Sequence, residues 1–335
     1  VKILIVRVSS LGDVVHNMPM VADLLRRFPD AQIDWVVEEG YVDLVRMLPG
    51  VRRIIPFGLR RWRKSLLRPS TRAEIRTFLA TLREETYDIA FDTQGLLKTG
   101  IVMGLARIRP GGQRVGLANA TEGSGYESAS RMFHTRSIPV PRRCHAVERG
   151  RLVAAAALGY TLDLPPDFGL GTPAAGAGQR LPWMPAGDYA VFFHGTARAA
   201  KKWPIASWIA LARQLAGRGL PVLLPWGSAD EQQAAQAIAA GSANCTVLPR
   251  LPMMEAVALA REAALAVGVD TGLTHVAAAF ERPTVEIYCD SPRWKTEGNW
   301  SANIINLGDE GEMPGVDAVA QAALGLLQGR AGRAG

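Results

Sequence analysis

The chain has 335 residues, 48% of them hydrophobic, enough for two domains with sizeable cores. Its net charge of +7 is uneven: up to Pro165 there are 25 Lys and Arg against 16 Asp and Glu, and beyond it 13 against 15, so an anionic partner is expected on the amino-terminal half. Cys144, Cys245 and Cys289 are far apart with no Cys-x-x-Cys, which argues against a disulfide framework or zinc knuckle, and no apolar run reaches the roughly 18 residues of a membrane span.

The chain opens on the apolar run 2–8, read as a buried β-strand. No signal peptide is therefore expected, and the setting is cytosolic with reduced thiols. The strand leads into Ser9-Ser10-Leu11-Gly12-Asp13, read as a tight glycine turn. That turn carries Asp13 to the strand's carboxyl end, the edge where open α/β sheets bind ligands. A lone carboxylate there suggests a base facing a substrate; a phosphate cradle would be glycine-rich. Further strands are expected at 32–37, 52–55, 88–92 and 113–116, with helices such as 20–28 and 73–83 between them.

Residues 52–76 are dense in cations, opposed only by Glu74. The block Arg60-Arg61-Trp62-Arg63-Lys64 suits phosphates or carboxylates gripped bidentately. A solvated loop is the plain alternative. Nucleic acid is a third, but no RNA-binding or helix-turn-helix pattern accompanies the block. Asp92-Thr93-Gln94-Gly95-Leu96-Leu97-Lys98 ends another strand and adds a cation to the same edge.

A Pro/Gly/Ala-rich stretch over 164–178 breaks the pattern and reads as a linker. Within it, Gly169-Leu-Gly171-Thr-Pro-Ala174 imitates a dinucleotide fingerprint, but it follows no strand and contains Pro173. A second α/β series follows, with strands at 189–193, 220–225, 244–248, 264–269 and 283–288. Pro204 is expected as the first residue of a helix, and a last helix over about 316–328 ends at Gly329. The expected fold is α/β: two Rossmann-like domains, 1–165 and 183–315, facing each other across a central cleft. A linker over 166–182 joins them, and a helix and tail occupy 316–335.

In the second half, Val269-Asp270-Thr271-Gly272-Leu273-Thr274-His275 ends a strand and opens a helix expected at 276–280. Free amides at such a helix start suit a phosphate, with Asp270 accepting from sugar hydroxyls; an ordinary Asp/Thr cap fits equally. His194-Gly195-Thr196-Ala197-Arg198-Ala199-Ala200-Lys201 ends the strand before. Its Thr196 and Lys201 suit a diphosphate leaving group without metal, or a merely solvated surface loop. Trp226-Gly227-Ser228-Ala229-Asp230-Glu231 offers a carboxylate for a ribose diol, or a helix-start acid favoured by the dipole. Three such loops in one domain favour a nucleotide site. There is no Walker A, His-Glu-x-x-His, Gly-x-Ser-x-Gly or Asp-x-Asp, so no metal or cofactor is expected. His16 and His275 lie in the loops described; His134, His145 and His194 read as structural.

Together these residues resemble the ADP-heptose:lipopolysaccharide heptosyltransferase family, with the GT-B fold, nearly end to end. The resemblance rests on Ser9-Ser10-Leu11-Gly12-Asp13, Trp35-Val36-Val37-Glu38-Glu39-Gly40, the arginine block, the Asp92 and Asp270 segments and His145-Ala146-Val147-Glu148-Arg149. The arginine block and the Trp35 element resemble its type I branch more than type II. The resemblance implies transfer of L-glycero-D-manno-heptose from ADP-heptose to Kdo of Kdo-lipid A, by an inverting and metal-independent enzyme. It would sit peripherally on the cytoplasmic face of the inner membrane, with no nucleic-acid partner. Asp13 is implied as catalytic base. Thr196, Lys201, Thr271, Gly272 and Leu273 would meet the donor phosphates, Glu231 the ribose and Asp270 the heptose, with His275 beside them. Ser9, Ser10, Arg60, Arg61, Arg63, Lys64, Gln94 and Lys98 fall to the acceptor side. The family's His-Ala-Thr-Thr loop reads His-Gly-Thr-Ala here, so Ala197 supplies no second hydroxyl, and residues 118–131 match too poorly to carry any role. A sugar-nucleotide epimerase or hydrolase on the same architecture is the alternative; it would consume donor without acceptor.

Overall fold

The computed structural model describes residues 1–170 and 181–331. The chain falls into two compact units, Val1–Leu170 and Gly171–Gly335. Most of the expected linker, 166–182, lies outside the described residues, as do the second half of the fingerprint imitation and 332–335 of the tail.

The first unit holds β1 (Lys2–Val6), β2 (Gln32–Glu38), β3 (Val51–Phe57), β4 (Thr86–Asp92), β5 (Arg107–Leu117) and β6 (Arg136–Ile138). They form one parallel sheet in the order β3-β2-β1-β4-β5-β6. Ile3, Leu4, Ile5 and Val6 are fully buried, as befits a central strand covered on both faces. Ile5 registers with Trp35 on one side and Phe91 on the other.

The second unit holds β7 (Ala190–Phe193), β8 (Val222–Leu224), β9 (Cys245–Val247), β10 (Leu265–Val269), β11 (Thr284–Tyr288) and β12 (Ile304–Gly308). Its sheet runs β12-β11-β10-β7-β8-β9, also parallel. Counted outward from its first strand, each sheet has the same order. The direction of winding reverses between β1 and β4 in one unit and between β7 and β10 in the other. Crevices for ligands open at such reversals, beyond the strands' carboxyl ends. Of the polar loops singled out above, four leave β1, β4, β7 and β10, and that over 226–231 leaves β8.

Several expectations need correction. Ser9 to Asp13 is not a glycine turn: Ser10 caps the helix Leu11–His16, and Gly12 and Asp13 lie in its first turn. Pro204 is the N-cap rather than the first residue of the helix Ile205–Ala216. The helix expected at 276–280 is Gly272–Ala279, because Thr271 already has the extended backbone of an N-cap. The last helix passes Gly329 to Ala331, a helical glycine being tolerated at a cost of roughly 1 kcal/mol. The edge strands β6 and β12 were not expected. The three cysteines are free thiols. Among the described residues no helix is long and apolar enough to cross a membrane.

Candidate active site

In the second unit the loops after β7 and β10 meet in one charged network. Lys201 Nζ donates to Asp270 Oδ2 at 2.5 Å. Asp270 Oδ1 pairs with His275 Nε2 at 3.1 Å and accepts from Thr296 Oγ1 at 3.3 Å. His275 Nδ1 lies 3.1 Å from Glu286 Oε1, and Glu286 Oε2 accepts from Tyr288 Oη at 3.1 Å and Gly298 N at 2.8 Å. Burial works against a charged imidazole, but Asp270 and Glu286 outweigh it and push His275 up to about 10. Burial likewise opposes ionisation of Asp270, yet His275 and Lys201 hold it well below the usual carboxylate range. The charges alternate, Lys⁺, Asp⁻, His⁺, Glu⁻, so each buried ion has an opposite neighbour.

Thr271 caps the helix Gly272–Ala279, and the amides of Gly272 and Leu273 in its first turn have no intrahelical acceptor. They are free to meet an anion. Thr196 is half-buried on the loop after β7. Glu231, beyond β8, closes a capping box: its Oε2 accepts from Gly227 N at 2.7 Å and Ser228 N at 3.3 Å. A Cβ on Gly195 would stand 2.6 Å from the Glu231 carboxyl carbon, so these two loops touch only because residue 195 is glycine. His194 is buried, and burial lowers its basicity, opposed by Glu231. Thr196, Lys201, Asp270, Thr271, Gly272, Leu273 and His275 thus gather around the β7/β10 reversal, with Glu231 one strand further out.

In the first unit, Asp13 has a side chain 38% exposed and is bound on both oxygens. Its Oδ1 accepts from Arg7 Nη2 at 2.6 Å, and its Oδ2 from Ser10 N at 3.0 Å and Ser10 Oγ at 3.1 Å. Burial would raise its pKa, but Arg7, the Ser10 amide, Arg149 and His16 outweigh burial and hold it well below the usual range. Arg149 is buried too; burial and Arg7 pull it down to about 10, against the pull of Asp13. The Nε–H groups of Arg7 and Arg149 find no acceptor among the described residues. Two buried guanidiniums therefore face one carboxylate, an excess of positive charge that suits an anion.

The loop after β4 abuts the same end. Arg7 Nη1 donates to Thr93 O, Val8 N donates to Gln94 Oε1 at 3.0 Å, and Lys98 Nζ donates to Ser9 Oγ at 3.2 Å. Asp92 holds this loop by accepting from the amides of Gln94 and Gly95, and burial pushes its carboxyl up to about 6. Ser9, Ser10, Gln94 and Lys98 therefore do gather with Asp13. The arginine block is anchored by Trp62, whose ring packs on Phe57 and Phe78 at 5.5 and 5.6 Å. Arg60 pairs with Glu38, and Arg61 with Glu39 and Glu74. Arg63 and Lys64 have no ion pair among the described residues. Glu286, Arg7 and Arg149 are the site residues that sequence reasoning missed. For Arg7 and Glu286 the signal was a charge inside an apolar run, Ile-Val-Arg7-Val and Thr-Val-Glu286-Ile; Arg149, in Glu148-Arg149-Gly150-Arg151, carried none.

The chain is similar in sequence and fold to known proteins. The family model for glycosyltransferase family 9 (heptosyltransferase) matches residues 75–323. Lipopolysaccharide heptosyltransferase 1 of Pseudomonas aeruginosa is 39% identical over 310 residues, covering 92% of this chain and 84% of that protein. The Escherichia coli K12 protein of the same description is 37% identical over 291 residues, covering 86% and 87%. Among solved structures, the E. coli heptosyltransferase WaaC with ADP is similar at a TM-score of 0.83 and 31% identity, covering 97% of this chain and 100% of that one.

Proposed function

The chain belongs to glycosyltransferase family 9, the heptosyltransferases, and from that premise we propose how its two units divide the work. It is a glycosyltransferase that moves heptose from ADP-heptose in synthesis of the lipopolysaccharide core. The second unit takes the donor. Thr196 and the amides of Gly272 and Leu273 receive the diphosphate. Lys201 has three N–H donors and uses one on Asp270, leaving two for phosphate oxygens. Asp270 keeps acceptor capacity for a heptose hydroxyl, and Glu231 for the ribose. Charge developing on departing ADP is met by Lys201 and the helix start, so no metal is required.

The first unit takes the acceptor, the Kdo residue of Kdo-lipid A. Its carboxylate suits the excess charge of Arg7 and Arg149, and the lipid's phosphates suit the arginine block. Asp13 stays ionised at any physiological pH, orients the attacking hydroxyl and takes its proton as the new bond forms. Attack opposite the departing ADP inverts the anomeric centre in one displacement. A basic strip facing an anionic lipid also favours peripheral attachment to the cytoplasmic face of the inner membrane.

The observation that carries this reading is the Lys201–Asp270–His275 chain beside a free helix start at the β7/β10 reversal. The test is turnover of ADP-heptose with deacylated Kdo-lipid A, in excess chelator, read by ADP release and product mass. Transfer to the acceptor is expected. Donor consumed without acceptor, or strict dependence on magnesium, would overturn it.

A further inference from the structure

An apolar cavity of about 630 Å³ lies in the first unit, between the arginine block and the helix Leu97–Leu105. That size is ordinary for a small-molecule site. Its walls are hydrocarbon, with Trp62 and Phe78 on one side and Ile101 and Leu105 on another. Leu97 and Ile101 line it and are also exposed, so it opens to solvent there. Polar groups are few: Arg63, Lys98 and Glu127, and Glu127 is already engaged by Leu97 N at 2.6 Å. Arg63 and Lys98 line a second, smaller cavity as well, together with Val8 and Glu38 at the ends of β1 and β2. These two cations thus stand between the hydrocarbon cavity and the strand end that carries Ser9, to which Lys98 donates.

The surroundings repeat this mixture. Arg63, Lys64, Arg68, Arg72 and Arg76 have no ion pair among the described residues, and the same segment holds Leu67, 82% exposed. Unpaired cations beside uncovered hydrocarbon match an amphiphile rather than a soluble sugar. We propose that this cavity takes an alkyl chain of an anionic lipid, with the lipid's first anionic group on Arg63 and Lys98. The inference rests on the reading of this unit as the acceptor side, and adds to it a hydrocarbon subsite that selects for a lipid-borne acceptor.

The test uses the full chain and a series of alkyl phosphates from hexyl to decyl, below their micellar concentrations, titrated by calorimetry. Affinity is expected to rise about fourfold per added methylene, the usual worth of burying one. Ile101→Trp, which fills the cavity from an exposed position, should flatten that rise; Ile75→Trp, from the opposite wall, serves the same purpose if the first variant melts early. Arg63→Ala should weaken all lengths by a similar factor. Equal affinity across the series, or an unchanged slope in both tryptophan variants, would overturn the proposal. Turnover with deacylated acceptor, run in parallel, separates the two readings. Turnover with a flat series removes the lipid subsite alone. A steep series without turnover removes the acceptor assignment and leaves the lipid site standing.

Discussion

Glu286→Gln probes the buried network most directly. Glu286 is 0% exposed and ends a chain of alternating charges through His275 and Asp270 to Lys201. Burial opposes the charged imidazole, but Asp270 and Glu286 push His275 up to about 10 from the 6.5 of an ordinary histidine. The folded value is the higher, so the bound proton stabilises the fold fully below pH 6.5, and its contribution fades as pH rises through about 10. Linkage over that interval makes the proton worth several kcal/mol at pH 7 and much less at pH 9. The depressed Asp270 is the other face of the same interaction and adds nothing to this figure. Gln keeps the shape but turns an amide toward either the His275 ring or the Gly298 and Tyr288 donors. Breaking a buried pair in this way costs about 3–5 kcal/mol. Asp270 retains part of the proton's stabilisation, so the expected loss at pH 7 is about 3 kcal/mol. Urea unfolding with pulse-labelled hydrogen exchange on peptides from β10 and β11 reads this unit alone. The gap between parent and variant should narrow by pH 9, where the parent has itself lost most of the benefit. A variant within about 0.5 kcal/mol of the parent at pH 7, or a gap that does not narrow, would refute the reasoning.

Asp13→Asn should lower kcat by roughly 10²- to 10⁴-fold, with ADP affinity by calorimetry unchanged; near-parental turnover would remove Asp13 from the chemistry. Lys201→Ala should weaken ADP binding about tenfold to a hundredfold, the worth of a charge-assisted hydrogen bond, and an unaltered Kd would mean that Lys201 serves only Asp270. Arg61→Ala should raise the acceptor's KM and spare ADP affinity; collapse of ADP binding would contradict the division between units. Gly195→Ala puts a methyl group 2.6 Å from the Glu231 carboxyl. It should displace that carboxylate from the Gly227 and Ser228 amides, lowering stability by about 1 kcal/mol and weakening ADP; a melting temperature and ADP affinity equal to the parent's would show the carboxylate to be idle.

Much of the site was legible because parallel sheets write their central strands as apolar runs and put polar loops directly after them. Residues 2–8, 264–269 and 283–288 announced β1, β10 and β11 in this way, and Asp13 and Asp270 followed two of them. The edges were less legible. β6 is three residues, Arg136-Ser137-Ile138, paired on one side only, and carries no hydrophobic run to mark it. β12 is mostly half-buried, so Ile304-Ile305-Asn306-Leu307 gives a weak signal. Glu286 is hard to read from sequence because a charge within a strand ordinarily points to solvent. In a sheet covered on both faces no such direction exists, and the carboxylate had to find His275 instead. Spacing could not show that Lys201 and Asp270, 69 residues apart, would pair with each other before either met a ligand. Nor could it show that Arg60 and Arg61 would be held by Glu38, Glu39 and Glu74.

The clasp on Asp13 has a consequence for acid inactivation. Its two oxygens tie Arg7 and the Ser10 amide to the start of a helix. A carboxyl held below its ordinary range keeps those two contacts through mildly acidic conditions. On the role proposed for Asp13, its neutralisation removes the proton acceptor and loosens this helix start together, whereas Asp92, pushed up to about 6 by burial, gives up the neighbouring loop first as pH falls.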